Sequence, residues 1–148
     1  MIETVPGPTV KDRVREILPT VRITRGLFLQ ASVQRTGNYD EDNGNAEVQI
    51  QVAFGSTAQN EVPYKFSARV VRPDVTIAVE FEIAYTAPDL TAWSDPEFVS
   101  VFSNNVALMT VYPYLRTKIH ELALTVEVPA PLLDVLIIPP DQPAESSD

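Results

Sequence analysis

The sequence predicts an α+β fold: a four-stranded antiparallel sheet is covered by a long helix kinked at a proline, and a short N-terminal helix precedes the first strand. Three observations support this prediction. Apolar and polar residues alternate in four segments between positions 21 and 86, as in strands with one buried face. No helical pattern separates these segments, which favours antiparallel pairing. The fourth segment is followed by an apolar stripe with the spacing of a helix, which can cover the sheet.

The N-terminal segment 1–20 contains a short amphipathic helix in the stretch "TVKDRVREIL". Thr9 is a suitable N-cap, because its hydroxyl can accept a hydrogen bond from an amide of the first turn. Pro19 ends the helix, because proline disfavours the helical conformation in the residue before it. The predicted apolar face consists of Val10, Val14, Ile17 and Leu18.

Each of the four predicted strands has one apolar face. The strands span about positions 21–34, 47–54, 64–70 and 75–86. The loops "TGNYDEDNGN" and "GSTAQNE" separate the first three, and "VRPD" predicts a tight turn into the fourth. In the first strand the residues predicted to share a face are Ile23, Leu27, Leu29, Ala31 and Val33.

The long helix is predicted from about Pro96 to Thr125. It begins either with Asp95 as the N-cap before Pro96, or with a capping box of Ser94 and Glu97. Pro113 should bend it, because proline lacks the amide that bonds to the preceding turn. The stripe keeps its phase across this proline. It consists of Val101, Asn105, Leu108, Tyr112, Leu115, Ile119, Leu122 and Val126.

The segment "VPAPLLDVLIIPP", residues 128–140, is strongly apolar and flanked by prolines. We predict that it is extended and lies across the surface, and we call it the crossover segment. Two interpretations of its leucines are open, since they can form buried core or an exposed groove. The acidic tail 141–148 is predicted to be disordered.

Composition narrows the classes of function. The 148 residues are 45% hydrophobic, enough for one compact domain, and the formal net charge of −9 disfavours nucleic acid as a partner. No apolar run approaches the roughly 18 to 20 residues that span a bilayer, so membrane insertion is not expected. The absence of cysteine and of a signal-peptide pattern predicts a cytoplasmic protein.

Residues that could support catalysis or metal binding do not form a recognisable pattern. His120 is the only histidine and has no partner set for a triad or a zinc site. Glu80 and Glu82 share one strand face and are interpreted as a solvated surface. The run Asp40–Asp42 lacks the ligand spacing of a calcium loop. We therefore predict that the protein is not an enzyme and uses no cofactor or metal.

The stretch from Phe102 to Pro140 resembles the SecB family of export chaperones and SecB-like chaperones. The resemblance is carried by Asn105, by the run Tyr112-Pro113-Tyr114-Leu115-Arg116, by Ile119 and Leu122, and by the crossover segment. Together with the four preceding strands, it implies a SecB-like domain over residues 21–140. The extra N-terminal helix resembles SecB-like chaperones that accompany toxin–antitoxin modules.

The resemblance implies an ATP-independent holdase that binds unfolded client proteins, assembled as a homotetramer from two dimers. It also implies an antitoxin or the motor protein SecA as further candidate partners. The residues predicted to form the client-binding groove are Trp93, Phe98, Leu132, Leu133, Val135, Leu136 and Ile137. The residues predicted at the oligomer interface are Val101, Asn105, Leu108, Tyr112, Leu115 and Ile119. The alternative function is a dedicated interaction protein for a single partner such as an antitoxin.

Overall fold

The computed structural model describes residues 9–133. Residues 1–8 and 134–148, including the predicted tail 141–148, lie outside the described residues. The helices and strands are α1 (Val10–Ile17), β1 (Arg22–Arg35), β2 (Glu47–Phe54), β3 (Val62–Arg72), β4 (Val75–Thr86), α2 (Pro96–Phe102), a π turn (Ser103–Ala107) and α3 (Leu108–Thr125). Together, α2, the π turn and α3 form the predicted long helix. The predicted α+β fold, with its four-stranded antiparallel sheet, short N-terminal helix and long C-terminal helix, is confirmed, and the bend at Pro113 stays a prediction.

Capping interactions begin both helical regions. The Thr9 hydroxyl accepts a hydrogen bond from the amide of Asp12 at 3.1 Å, and the Asp12 carboxylate accepts one from the amide of Thr9 at 3.2 Å. This reciprocal pair satisfies donors that a helix start otherwise leaves free. At α2 the N-cap is Asp95, whose carboxylate accepts from the Glu97 amide, with Pro96 in the first turn. Of the two predicted helix starts, the one with Asp95 as N-cap is therefore correct.

The four strands form one antiparallel sheet in the order β1-β4-β3-β2. β3 and β4 occupy the centre, and their alternate residues are buried beneath the long helix. The helix packs mainly on β4 and also contacts β1 and β3 on either side. β1 and β2 are the two edges of the sheet, and most of their residues are exposed.

Strand β1 differs from the predicted pattern because its register with β4 shifts twice, between Ile23 and Arg25 and between Phe28 and Gln30. Each shift adds a residue to one strand, which reverses the alternation of side chains beyond it. Leu27 consequently lies opposite Glu82 rather than opposite a core residue. The prediction that Ile23, Leu27, Leu29, Ala31 and Val33 share one face is therefore wrong.

The long helix runs without interruption from Pro96 through Pro113 to Thr125. Its irregularity is the π turn, which accommodates one more residue than an α turn and so changes the phase of the helix. Asn105 lies in this turn, and its side chain donates to the Val101 carbonyl at 3.1 Å. The buried apolar stripe is Phe98 and Phe102 before the turn, Ala107 at its last position, and Val111, Leu115, Ile119 and Ala123 after it.

Candidate functional site

A pocket of about 400 Å³ lies between the second half of the long helix and the crossover segment. Leu132 is 94% exposed beside it, whereas Leu133 is partly buried against the core. The pocket is lined both by apolar side chains such as Leu132 and by charged ones such as Arg116 and Glu121. This mixture suits a peptide more than a purely apolar ligand. We call it the crossover pocket, and its lining is Pro113, Arg116, Thr117, His120, Glu121, Pro131, Leu132 and Leu133.

A buried ion pair fixes the start of the crossover segment to the sheet. The guanidinium of Arg72, at the end of β3, donates two hydrogen bonds to the carboxylate of Asp74, one of them at 2.8 Å. The same guanidinium donates to the Pro129 carbonyl at 2.8 Å and lies 4.8 Å from the centre of the Tyr39 ring. Hydrogen bonding to Arg72 holds the pKa of Asp74 below its ordinary value. Arg72 thereby positions the backbone that leads into the crossover pocket.

Trp93 and Phe98, predicted to line the client groove, are core residues in this structure. Their side chains are 2% and 0% exposed, so neither is available at the surface. The Trp93 indole donates to the Tyr64 hydroxyl at 3.1 Å, and this hydroxyl donates to the Val99 carbonyl at 3.2 Å. Both rings pack within an aromatic cluster that includes Phe102. The structure thus corrects their predicted position, because these hydrogen bonds and ring contacts hold them inside the protein.

The residues predicted to form one client groove lie at two distant places in the structure. Phe98 is in the first turn of the long helix, whereas Arg116 lines the crossover pocket. Eighteen residues of helix separate them by about 27 Å. Leu132 and Leu133 therefore lie near the second half of the helix instead of near Trp93. The remaining predicted groove residues, Val135, Leu136 and Ile137, lie outside the described residues.

The residues predicted at the oligomer interface occupy three kinds of position. Leu115 and Ile119 are buried against the sheet of their own chain, so they do not contribute to an exposed surface. Val101, Leu108 and Tyr112 are partly buried, and Asn105 is exposed. The predicted stripe shares Leu115 and Ile119 with the buried one and lies beside it elsewhere, because the prediction assumed regular α-helical geometry throughout. The assembly itself stays a prediction.

A second apolar surface, which is not among the predicted site residues, lies on strand β2. Val48 and Val52 face the same side of the sheet as the core but are 40% and 43% exposed. Ile50 and Phe54, on the same side, are partly buried against the core. We call these residues the β2 row. The alternation in "EVQIQVAF" was visible, but strand order was needed to show that this strand lies beyond the helix.

Within residues 9–133, histidine, aspartate and glutamate side chains do not come together in groups that could hold a metal ion. Glu82 binds Arg25, which also bridges to Glu61 at 2.9 Å on the outer face of the sheet. His120 is exposed at the crossover pocket. Among the described residues, the crossover pocket and the β2 row are therefore the surfaces best suited to binding.

Comparisons with known proteins relate the chain to others by structure. No protein-family model matches the chain, and no curated protein sequence matches it. A SecB-like chaperone from Mycobacterium tuberculosis, Rv1957, solved in complex with a ChAD peptide from the Rv1956 HigA1 antitoxin, is similar with a TM-score of 0.73. The similarity covers 86% of this chain and 98% of that chain at 13% sequence identity.

A protein of unknown function from Streptococcus agalactiae is similar with a TM-score of 0.50 and 13% identity, over 78% of this chain and 97% of that one. The comparison with Rv1957 establishes that the chain has a SecB-like fold. In the described part of the chain, every helix is too short or too polar to cross a membrane.

Proposed function

We propose that this protein is an ATP-independent holdase chaperone, which binds unfolded or aggregation-prone polypeptides through exposed apolar surfaces. The observation that carries the proposal is the SecB-like fold, shared over 98% of the length of a chaperone solved with a bound peptide. The work of a holdase is binding, which requires accessible apolar area and no chemical step. Accordingly, the proposal assigns no catalytic residue.

The surface of the described chain supports this proposal. The crossover pocket and the β2 row each present aliphatic side chains that the protein's own core does not cover. Burial of such side chains gives roughly 25 cal/mol per Å² of apolar area. The net charge of −9 favours clients that carry basic residues. A hydrophobic segment next to lysine or arginine is therefore the preferred target.

A second candidate function is a dedicated chaperone for one partner, such as an antitoxin. The bound peptide in the Rv1957 structure comes from an antitoxin, which favours this candidate. Equilibrium binding to several unrelated unfolded proteins separates the two. A general holdase should bind most of them with affinities within about tenfold of each other, whereas a dedicated chaperone should bind one far more tightly. Binding to none of them would contradict the holdase proposal.

Replacing Leu132 with serine is expected to weaken client binding several-fold and to leave stability nearly unchanged. Leu132 is 94% exposed, so its truncation should change the free energy of unfolding by less than about 0.5 kcal/mol. Client affinity and the thermal midpoint are measured on the same sample. Ile23→Ser is the control, because Ile23 is 56% exposed on β1, outside the crossover pocket and away from the long helix. Equal losses of affinity in the two variants would show that the pocket has no special role.

We further propose that the chain assembles as a homotetramer made of two dimers. Met109 and Leu124 are exposed on the side of the long helix that faces away from the sheet. Asn105, about one turn before Met109, is exposed on the same side. Such a surface suits helix packing between copies. Light scattering coupled to size exclusion should give four times the monomer mass of 16.4 kDa. A monomer at micromolar concentration would contradict the assembly.

A further inference from the structure

The helix wall of the crossover pocket carries two nitrogen-bearing side chains on one face. Arg116 and His120, four residues apart in α3, both line the pocket and are exposed. Residues at this spacing lie one above the other on a helix, with Cβ atoms about 5–6 Å apart. Their side-chain nitrogen atoms can therefore contact the same bound group.

Arg116 has no counter-ion within the described part of the chain. It makes no hydrogen bond or ion pair with the described residues, whereas Arg25 binds two carboxylates of its own chain. The acidic residue of the pocket, Glu121, forms its ion pair with Lys118 at 3.3 Å. A guanidinium presents five N–H donors in a planar fork that matches a carboxylate. Arg116 is thus available to an anionic group from outside.

The remaining lining of the pocket is largely apolar. Pro113 contributes from the helix, and Pro131, Leu132 and Leu133 contribute from the crossover segment. Leu132 is 94% exposed, so an apolar side chain bound here would cover it. The volume of about 400 Å³ is near the lower end of the range for ligand pockets, about 300–1,000 Å³. The pocket therefore accepts a short part of a peptide.

The two kinds of lining together specify the bound group. A carboxylate would accept hydrogen bonds from Arg116 and His120, and such charge-assisted bonds are stronger than neutral ones. An apolar side chain next to that carboxylate would pack on Leu132 and Leu133. A peptide segment in which glutamate or aspartate adjoins a leucine-like residue provides both groups.

The negative charge of the whole protein is compatible with this contact. The net charge of −9 is screened beyond a Debye length of about 8 Å at physiological ionic strength, whereas a carboxylate in the pocket touches the guanidinium directly. The overall charge limits how many carboxylates a bound segment can carry. A segment with a single carboxylate in neutral or basic surroundings meets both conditions.

We propose that the crossover pocket selects client segments in which one acidic side chain adjoins an apolar residue, with Arg116 and His120 binding the carboxylate. This inference rests on the proposed chaperone function and names the chemistry by which its pocket chooses a segment. An unfolded chain offers such pairs at many internal positions but has a single free carboxyl end. The side chain is therefore the assigned source of the carboxylate.

The test titrates two labelled synthetic peptides with the full chain and follows binding by fluorescence anisotropy. Both peptides are blocked at their ends and carry leucines in a glycine–serine background; one has a glutamate beside the leucines and the other a glutamine. We expect the glutamate peptide to bind about fivefold more tightly. Arg116→Gln should abolish this preference, because the carboxylate loses its charged donor. Arg69→Gln is the matched control and should keep the preference, because Arg69 is exposed on the face of the sheet opposite the helix.

The affinities of the unmodified protein and of Arg116→Gln for the two peptides form a double-mutant cycle, which isolates this contact from other effects of the substitution. A coupling below about twofold would overturn the inference. The preference should also shrink at high salt. A third peptide, with glutamine and a free carboxyl end, tests the source of the carboxylate. If it binds as tightly as the blocked glutamate peptide, the pocket binds chain ends and the assigned source is wrong.

The imidazole of His120 reports where the peptide binds. It is the only histidine in the chain, so its NMR signals are readily assigned. These signals should move during titration with the glutamate peptide and saturate at the affinity measured by anisotropy. Signals that stay unchanged at saturation would place the peptide elsewhere and overturn the inference. If replacing the acidic residues of the tail 141–148 by their amides moves these signals in the peptide-free protein, the tail occupies the pocket, which also overturns it.

The outcomes separate this inference from the function on which it rests. If the unmodified protein binds neither the peptides nor unfolded proteins, the proposed function fails. If it binds unfolded proteins but does not prefer the glutamate peptide, the inference alone is overturned. If Arg116→Gln changes the mass measured by light scattering, Arg116 contacts another copy of this chain, which also overturns the inference. Circular dichroism and the thermal midpoint confirm that each variant is folded.

Discussion

Replacing Arg72 with leucine is expected to lower the free energy of unfolding by about 3–5 kcal/mol, because it leaves a buried carboxylate without its partner. The side chains of Arg72 and Asp74 are 3% and 2% exposed. The substitution also removes the hydrogen bond to the Pro129 carbonyl, which holds the start of the crossover segment. Client affinity should therefore fall in the remaining folded protein. Urea unfolding gives the first quantity, and titration with an unfolded client below the unfolding transition gives the second.

Arg69→Leu is the control for this prediction, since Arg69 is exposed on the same strand and its loss should cost less than about 0.5 kcal/mol. The effect should also depend on pH. The pKa of Asp74 is lowered in the folded protein, so the ion pair contributes fully above the ordinary value of about 3.9. Its contribution is lost as the pH falls through the folded-state pKa. The stability difference between the unmodified protein and Arg72→Leu should thus shrink in acid, and a difference that grew would contradict the assigned ion pair.

Deleting Thr117 is expected to lower the free energy of unfolding by about 4 kcal/mol or more, whereas deleting Asn105 should change it by less than about 1 kcal/mol. Thr117 lies in regular α-helix, where removal of one residue rotates the following turns by about 100°. Ile119 and Ala123 would then leave the core, and loss of a buried isoleucine alone costs about 2–5 kcal/mol.

Asn105 lies in the π turn, which holds the additional residue. Its deletion allows regular α geometry while Phe102 and Val111 keep facing the sheet. The measurement is the urea midpoint of each variant, with circular dichroism to report the helix content. Comparable destabilisation by the two deletions would show that the helix does not tolerate the removal of a residue at the π turn.

The sequence predicted those parts of the fold that depend on neighbouring residues along the chain, such as strand alternation and helix capping. The alternation in β3 and β4, the N-cap at Thr9, and the limits of the long helix are confirmed, because burial and capping impose these patterns directly on the chain. The turn at "VRPD" is likewise present between β3 and β4.

The features that escaped prediction depend on contacts between distant parts of the chain. The β1 bulges are visible only in the register with β4. The π turn had one weak signal, the run Ser103-Asn104-Asn105, whose residues are poor helix formers. The sequence placed Arg72 and Asp74 in a tight turn but did not indicate their burial, which follows from the loop around Tyr39 and from Pro129.

The candidate site was predicted less well than the fold. Leu132 and Leu133 line a pocket, whereas Trp93 and Phe98, predicted to lie beside them, are buried in the core. Their distance from the crossover pocket follows from the length of the helix between them. The β2 row needed the strand order, since the same alternation would be buried in a central strand.

Aggregation of a heat-unfolded protein, followed by light scattering with and without ATP, is the decisive measurement for the proposed holdase function. We expect this protein to suppress the scattering in proportion to its concentration, nearly completely at a several-fold molar excess. ATP should not change the suppression. No suppression at that excess, or suppression that requires ATP, would contradict the proposal of an ATP-independent holdase.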